Sequence, residues 1–413
     1  MSGQPSEAPL QRAAEVVVVG GTYRETCLEP TIDSLRGSGL RAAAVLASLG
    51  STCSFITCID DASAGEAAAM SHDLGIVTRS VTRAAPVTFC YETPVSTAQW
   101  HYGGDLATLD VTGSAVVAFG MVDADWKVTA DRLVIDPQHG DLSEMLNATS
   151  VAEAVAVVLN GHEATRLTGL PPDEAGSYLL RSGAAVVVIK QGALGGMVFH
   201  GSVVEVYGPI PTKVTRTLGS GDAFTAGFAH AWFEDPGNPL AAAQFGARTA
   251  AAHSLTDVPQ VPQDLLDSLP APLDYPLGAT PRIYLAAPFF TTAERLLLET
   301  VRTALFDAGL NVFSPLHDVG AGSDEVAPQD LEGLGSCDAV LALLDGADPG
   351  TVFEAGWATH ADIPVVGFTA QPDVHDLTML RGTGAELSSD LTSAVHLAAW
   401  AAIRRASSRT GRS

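Results

Sequence analysis

Basic residues are scarce in this sequence: 22 Lys and Arg stand against 47 Asp and Glu, a formal net charge of −25. So acidic a surface repels nucleic-acid backbones and anionic membranes, and neither is expected as a partner. Long apolar runs are missing as well. The richest, "EVVVVGG" and "AAVVVIK", stop well short of the ~20 residues that cross a bilayer. Cysteine is sparse and scattered: Cys27, Cys53, Cys58, Cys90 and Cys337 show no CxxC spacing and have no histidine pair nearby. That pattern excludes a zinc site and a disulfide framework, and it suits free thiols in a reducing compartment. The opening "MSGQPSEAPLQRAA" lacks a basic start followed by an apolar core, so residues 1–14 read as a disordered lead rather than a secretory leader. A cytoplasmic protein acting on small molecules is the expectation.

What is present is apolar content and α/β rhythm. Hydrophobic residues make up 46% of 413 positions, enough for two domains with buried cores. Apolar β-like runs alternate with helical patterns through both parts of the chain, which implies parallel sheets covered by helices. The first part runs from "EVVVVGG" through "LVIDP", "AVVLN" and "AAVVVIKQG" to the helix after "TLGSGDAF". Within it, "PVTFCYETP" and "TAQWHYGG" alternate like exposed strands and predict a small antiparallel flap. The proline-rich stretch over 256–281 reads as a connection, its centre at 271–280. The pattern then restarts with the strand "RIYLAAP" and a helix carrying Leu297, Val301, Ala304 and Leu305 on one face. The expected organisation is a domain over 15–270, a linker over 271–280, a second domain over 281–403 with a flavodoxin-like succession of βα units, and a disordered basic tail over 404–413. Ligands of the second domain should gather at the carboxyl ends of its strands.

Two stretches carry chemistry. In "TRTLGSGDAFTAGF", Gly219, Ser220 and Gly221 precede Asp222 and an apolar helix. Backbone N–H groups converge at such a helix start and favour an anion, and glycine lets a phosphoryl group come close. Asp222 in the same mouth can take a proton from an attacking hydroxyl. An ordinary glycine-rich helix cap has the same local sequence. Upstream, "VVLNGHEA" ends a strand with Asn160 and Glu163, oxygen donors suited to hydrated magnesium, and "VVVIKQGALGG" places Lys190 and Gly192 where a nucleotide's ribose or base can lie. Together these motifs resemble the ribokinase-like (PfkB) carbohydrate and nucleoside kinases over residues 15 to about 270. The resemblance implies a three-layer α/β domain that uses ATP and Mg2+. Asp222 matches the catalytic base, Gly219 to Gly221 the anion hole, and Asn160 with Glu163 the metal and phosphate contacts. It also marks two departures in the acceptor half. Arg41, in "RGSGLRAAAVLASLG", stands where a substrate-binding Asn is usual, and Glu25 lies near the place of a missing Asp.

The second stretch, "DGADPGTVFEAGWA", brings Asp345, Asp348 and Glu354 together at a helix start. With "IYLAAPFFTTAERLL", "FSPLHD", "APQDLEG" and "PVVGF" around it, it resembles the nucleoside 2-deoxyribosyltransferases over 281 to about 370. The resemblance implies that Glu354 attacks the anomeric carbon and forms a glycosyl ester, as in a retaining glycosidase. Asp330 then handles the proton on the base, Asp348 contacts the sugar and Tyr284 orients Glu354. Asp376, in "HDLTML", stands in place of an Asn through which one subunit completes its neighbour's site, so a homo-oligomer is expected. No cofactor is implied for this domain. His317 either contacts a base or is structural, Asp338 and Trp357 read as structural, and Asp345 has no assigned role. No Arg or Lys occurs in "LLDGADPGTVFEAGWATHADIPVVGF". A 5′-phosphate beside Asp348 and Asp376 would meet like charge, and unphosphorylated nucleosides are the expected substrates unless Arg282 or Arg295 reaches the site. The whole reads as a bifunctional enzyme of nucleoside metabolism. The alternative is a catalytic C-terminal domain beside a nucleoside-binding regulatory module.

Overall fold

A computed structural model describes residues 15–274, 280–320, 325–371 and 377–410. Its largest sheet has nine strands, in the spatial order Val203–Tyr207, Gly196–His200, Val186–Lys190, Thr149–Asn160, Ala124–Asp136, Ala107–Phe119, Val16–Val19, Cys53–Ile59 and Val77–Thr82. The central strands are buried on both faces, and their residues alternate between two cores. Val16, Val18, Val134, Val158 and Val188 face the helices Ser38–Ser48, Ser220–Glu234 and Pro239–His253. Val17, Val19, Leu133, Ile135, Val157 and Ile189 face the opposite side. That alternation, in runs of consecutive β-branched residues, makes a three-layer α/β domain.

One part of this domain departs from the expected alternation of strands and helices. Ala107–Phe119 and Ala124–Asp136 pair in parallel from Ala107↔Ala124 to Phe119↔Asp136, although only residues 120–123 join them. A straight strand of that length covers roughly 40 Å, whereas so short a link spans at most about 17 Å. Each strand therefore folds back on itself, near Gly113 and Asp131, where the pairing skips a residue. The indole Nε1–H of Trp126 donates to the Phe119 carbonyl at 2.8 Å, tying the start of the second strand to the end of the first. Leu109, Val111, Trp126 and Val128 thereby cover one face of the sheet, where helices were expected.

The flap has four strands in the order Ile32–Arg36, Tyr23–Cys27, Thr88–Tyr91 and Gln99–Trp100. Its last two pair antiparallel as expected, but Thr88–Tyr91 joins Tyr23–Cys27 in parallel, so the flap is mixed. Tyr23 stacks on Phe89, which stacks in turn on Trp100 and His139.

The second sheet is all parallel, ordered Asn311–Phe313, Arg282–Ala286, Ala339–Leu343, Val365–Phe368 and Glu386–Ser388. Taken in chain order this is 2-1-3-4-5, the doubly wound order of flavodoxin-like folds. Val261, Leu266 and Leu269, in the proline-rich stretch, are buried in the first core, within the 15–270 expected for that domain. One further expectation is corrected. The basic tail is not disordered up to residue 410: it forms the last turns of the helix Leu391–Thr410. Arg409 pairs with Asp338 at 3.1 Å, Arg405 donates to the Asp362 carbonyl, and cations suit a helix C-terminus.

Candidate functional sites

The first site lies where the helix Ser220–Glu234 begins. Gly219 precedes it with φ +78, and a Cβ there would overlap the Arg41 side chain, so only glycine fits. Asp222, in the first turn, sits between two cavities. One of about 350 Å3 is lined by Lys190, Gly192, Ser220, Gly221, Asn160 and Glu163 among others. The other, of about 240 Å3, is lined by Glu25, Arg41, Tyr91, His139 and Gly219. Asp222, Gln138, Glu163 and Gly221 line both. An acid at the junction of two chambers can serve a donor in one and an acceptor in the other.

Sequence reasoning placed Arg41 near substrate, and the structure gives it a definite role. Its guanidinium donates to Asp222 Oδ2 and, at 2.7 Å, to Glu25 Oε2. Gln138 Nε2–H donates to Asp222 Oδ1 at 2.9 Å. Burial pushes the Asp222 carboxyl up to about 6, against the pull of Arg41, which favours its charge. The same burial, helped by the Asp136 charge, raises Glu163 to about 7. Lys190 Nζ pairs with Asp136 Oδ2 at 3.0 Å, while Asp136 Oδ1 is buried without a hydrogen-bond partner among the described residues.

Asn160 and Glu163 form a capping box at the helix Gly161–Thr168, with Asn160 Oδ1 accepting from Glu163 N–H and Glu163 Oε2 from Asn160 N–H. Asn160 Oδ1 keeps a second lone pair, and its amide can donate to a phosphate oxygen. Asn160, Glu163 and Asp136 Oδ1 are oxygens of this cavity that fit a hydrated divalent cation. Asp136, Gln138 and the flap aromatics were missed by motif reading. "VIDPQH", ending a strand in an acid, was the available signal.

The second site stands at the carboxyl ends of the second sheet. Asp348 caps the helix Pro349–His360 by accepting from Thr351 N–H at 2.8 Å, and Glu354 follows in the second turn. Tyr284, fully buried and stacked on Phe313, donates its hydroxyl hydrogen to Glu354 Oε1 at 2.7 Å. A cavity of about 610 Å3 brings Glu354, Asp330 and Asp348 together with Phe290, Thr351 and Arg295. Burial is the main cause that pushes Glu354 up to about 7, with Asp330 and Asp348 adding to it and the Tyr284 hydrogen bond opposing. Asp330 is raised by burial as well, and its Oδ1 has no hydrogen-bond partner among the described residues.

Arg295 lines the same cavity as these acids, with its Nε–H donating to the Phe289 carbonyl at 2.8 Å. Arg282 does not reach them, since it donates to Ser336 Oγ and lies over Phe313. Asp376 falls outside the described residues. His317 is structural: its Nε2 lies 2.7 Å from Glu299 Oε1 and its Nδ1 3.0 Å from Ser314 Oγ. Asp338 is structural too, accepting from Arg282 N–H at 3.0 Å.

Family models match both parts of the chain: "pfkB family carbohydrate kinase" over residues 124–258 and "Nucleoside 2-deoxyribosyltransferase" over 283–391. Among solved structures, the chain is similar to aminoimidazole riboside kinase from Salmonella enterica, with 16% identity, a TM-score of 0.49, and coverage of 62% of this chain and 99% of that one. Ribokinase from Thermotoga maritima gives 18% identity and a TM-score of 0.45 over 62% and 96% of the two chains. Phosphofructokinase-2 from Escherichia coli gives 14% and 0.48 over 62% and 98%. No curated protein matches the chain.

Proposed function

We propose that the chain cleaves or transfers the N-glycosidic bond of a nucleoside and phosphorylates a sugar or nucleoside hydroxyl, a reading supported by the matches of its two parts to the carbohydrate-kinase and nucleoside 2-deoxyribosyltransferase family models. The domains run over about 15–270 and 281–403 in this reading. The observation that carries the first half is the Tyr284–Glu354 contact in a cavity shared with Asp330 and Asp348. Glu354 attacks the anomeric carbon as the glycosidic bond breaks, and Asp330 supplies a proton to the departing base. Asp348 meets the sugar hydroxyls. Water or a second base then displaces the carboxylate, restoring Glu354.

In the kinase half, Asp222 accepts the proton of the attacking hydroxyl, which replaces Gln138 at Oδ1. Gly219, Ser220 and Gly221 offer backbone N–H groups to the transferred phosphoryl, and Lys190 and Gly192 line the nucleotide cavity. Magnesium, held through water by Glu163 and Asp136, would offset charge on the phosphate oxygens. Arg41 keeps Asp222 ionised and fixes its orientation.

Assembly of like chains fits the exposed Phe290, Leu296 and Phe353 near the glycosyl cavity, and a cytoplasmic setting fits the free thiols. No described helix is long and apolar enough to cross a membrane. One observation favours a second reading, in which the kinase-like domain only binds a nucleoside: both Asp222 oxygens are already engaged. Incubating the full chain with a nucleoside panel, with and without MgATP, and weighing the products separates the two. Free base without ATP and a phosphorylated product only with MgATP support the bifunctional reading. Base release with no phosphorylated product on any acceptor supports the second.

A further inference from the structure

The helix Leu391–Thr410 belongs to the second domain by sequence, yet one of its faces is built into the first. Ser393 Oγ accepts from Thr215 N–H at 2.9 Å, and Trp400 Nε1–H donates to the Ala193 carbonyl at 3.1 Å. Ala193 and Leu194, from the glycine-rich turn after Lys190, are buried in the core of the second domain beside Leu397 and Trp400. Positions 393, 396, 397 and 400 lie on one face at helical spacing. His396 and Trp400 consequently line the same 350 Å3 cavity as Lys190, Gly221 and Asp222.

That cavity has two characters. Its charged end holds Lys190, Asp136 and Glu163, and elsewhere it is walled by Ile210, Ala247 and Ala251. A cavity of this volume with apolar walls beside the Gly219–Gly221 helix start can take a purine nucleotide. His396 is the polar group that the second domain adds to the cavity. Its Nδ1 lies 2.9 Å from the Thr392 carbonyl, which can only accept, so Nδ1 carries the hydrogen. The ring packs edge-on against Trp400 with centroids 5.6 Å apart, which fixes its orientation. Burial lowers its pKa and keeps the imidazole neutral. Nε2 is then a lone-pair acceptor with no protein partner among the described residues.

Resting on the kinase reading above, we infer that the phosphoryl-donor site is shared between the domains, and that His396 Nε2 accepts a hydrogen bond from the 6-amino group of an adenine base. A 6-oxo purine presents an acceptor at that place and leaves two lone pairs facing each other. The domain that carries the glycosyl cavity is therefore also a structural part of the nucleotide site, so the kinase half is incomplete without it.

The test is binding of ATP and of GTP, each with Mg2+, to the full-length parent and to His396→Leu by calorimetry. The parent should prefer ATP, and the variant should lose ATP affinity on the order of tenfold while GTP affinity holds or rises, because one base-reading hydrogen bond and one lone-pair repulsion are removed. A parent that binds ATP but whose preference over GTP survives His396→Leu overturns this inference and leaves the kinase reading intact. A parent that binds neither nucleotide overturns both. Should His396→Leu not fold, photolabelling of the parent with 8-azido-ATP decides. A mark on the peptide spanning Ser393 to Trp400 is expected, and labels confined to residues 15–274 overturn the shared site.

Discussion

The two acids on which the account turns, Asp222 buried and Glu354 half-buried, are partnered differently. Asp222 faces the Arg41 guanidinium and the Gln138 amide, whereas the partner of Glu354 among the described residues is the neutral Tyr284 hydroxyl. Desolvation is the largest cause raising both carboxyls, and it is opposed by the Arg41 charge at Asp222 and by the Tyr284 hydrogen bond at Glu354. A general base works when its ionised form is populated and can still accept a proton. A nucleophile must keep its lone pairs for carbon, so a charge partner would compete with the substrate. A cation suits the first task and a hydroxyl the second.

Removing the acids themselves should separate the sites most sharply. Glu354→Gln should reduce base release to background while phosphoryl transfer persists, because the amide fills the same volume but cannot form the glycosyl ester. Loss of both activities together would mean that the sites are not independent. Asp222→Asn should lower phosphoryl transfer by about 10²–10⁴ and leave base release unchanged. ATP-dependent product formed equally by variant and parent would remove Asp222 from the base role.

The partners come next. Arg41→Leu leaves Glu25 and Asp222 buried without their cation, a loss of about 3–5 kcal/mol in stability by denaturant titration. Arg41 lowers the Asp222 pKa, so without it the carboxyl ionises at higher pH and the acid limb of phosphoryl transfer should move up from about 6. Tyr284→Phe should slow base release about tenfold. The Tyr284 hydrogen bond lowers the Glu354 pKa, so its loss should carry the acid limb of base release above about 7. A limb that moves down would invert the assignment.

The smallest effect concerns Arg295, which shares a cavity with three acids. The parent should still favour an unphosphorylated nucleoside over its 5′-monophosphate in kcat/KM, and Arg295→Leu should widen that preference a few-fold. A parent that favours the monophosphate, with the preference lost in Arg295→Leu, would make this residue a phosphate clamp.

Local pattern revealed much of this. The runs "VVVV" and "AVLAL" announce strands buried on both faces, and the motifs around Asp222 and Glu354 are contiguous enough to be seen without a fold. What stayed hidden depends on distant pairing. Arg41 meets Asp222 across 181 positions, Trp400 meets Ala193 across 207, and nothing near either residue signals its partner. The strands that fold back at Gly113 and Asp131 stayed hidden because each arm alternates like an ordinary strand, and only a one-residue shift in the inward set, from Leu109 and Val111 to Val116 and Ala118, marks the bend. The final helix was missed for another reason: "RRASSRTGRS" is polar all round, and its last turns rest on Asp338 and the Asp362 carbonyl rather than on an apolar face.

Trapping the glycosyl ester tests the central assignment most directly. A 2-fluoro nucleoside, which slows resolution of the ester more than the protein's first step can hide, should leave a sugar-sized mass on the peptide carrying Glu354, with or without MgATP. The same treatment of Glu354→Gln should leave none. An adduct on Asp330 or Asp348, or base release from the parent with no adduct on any carboxylate, would contradict the account.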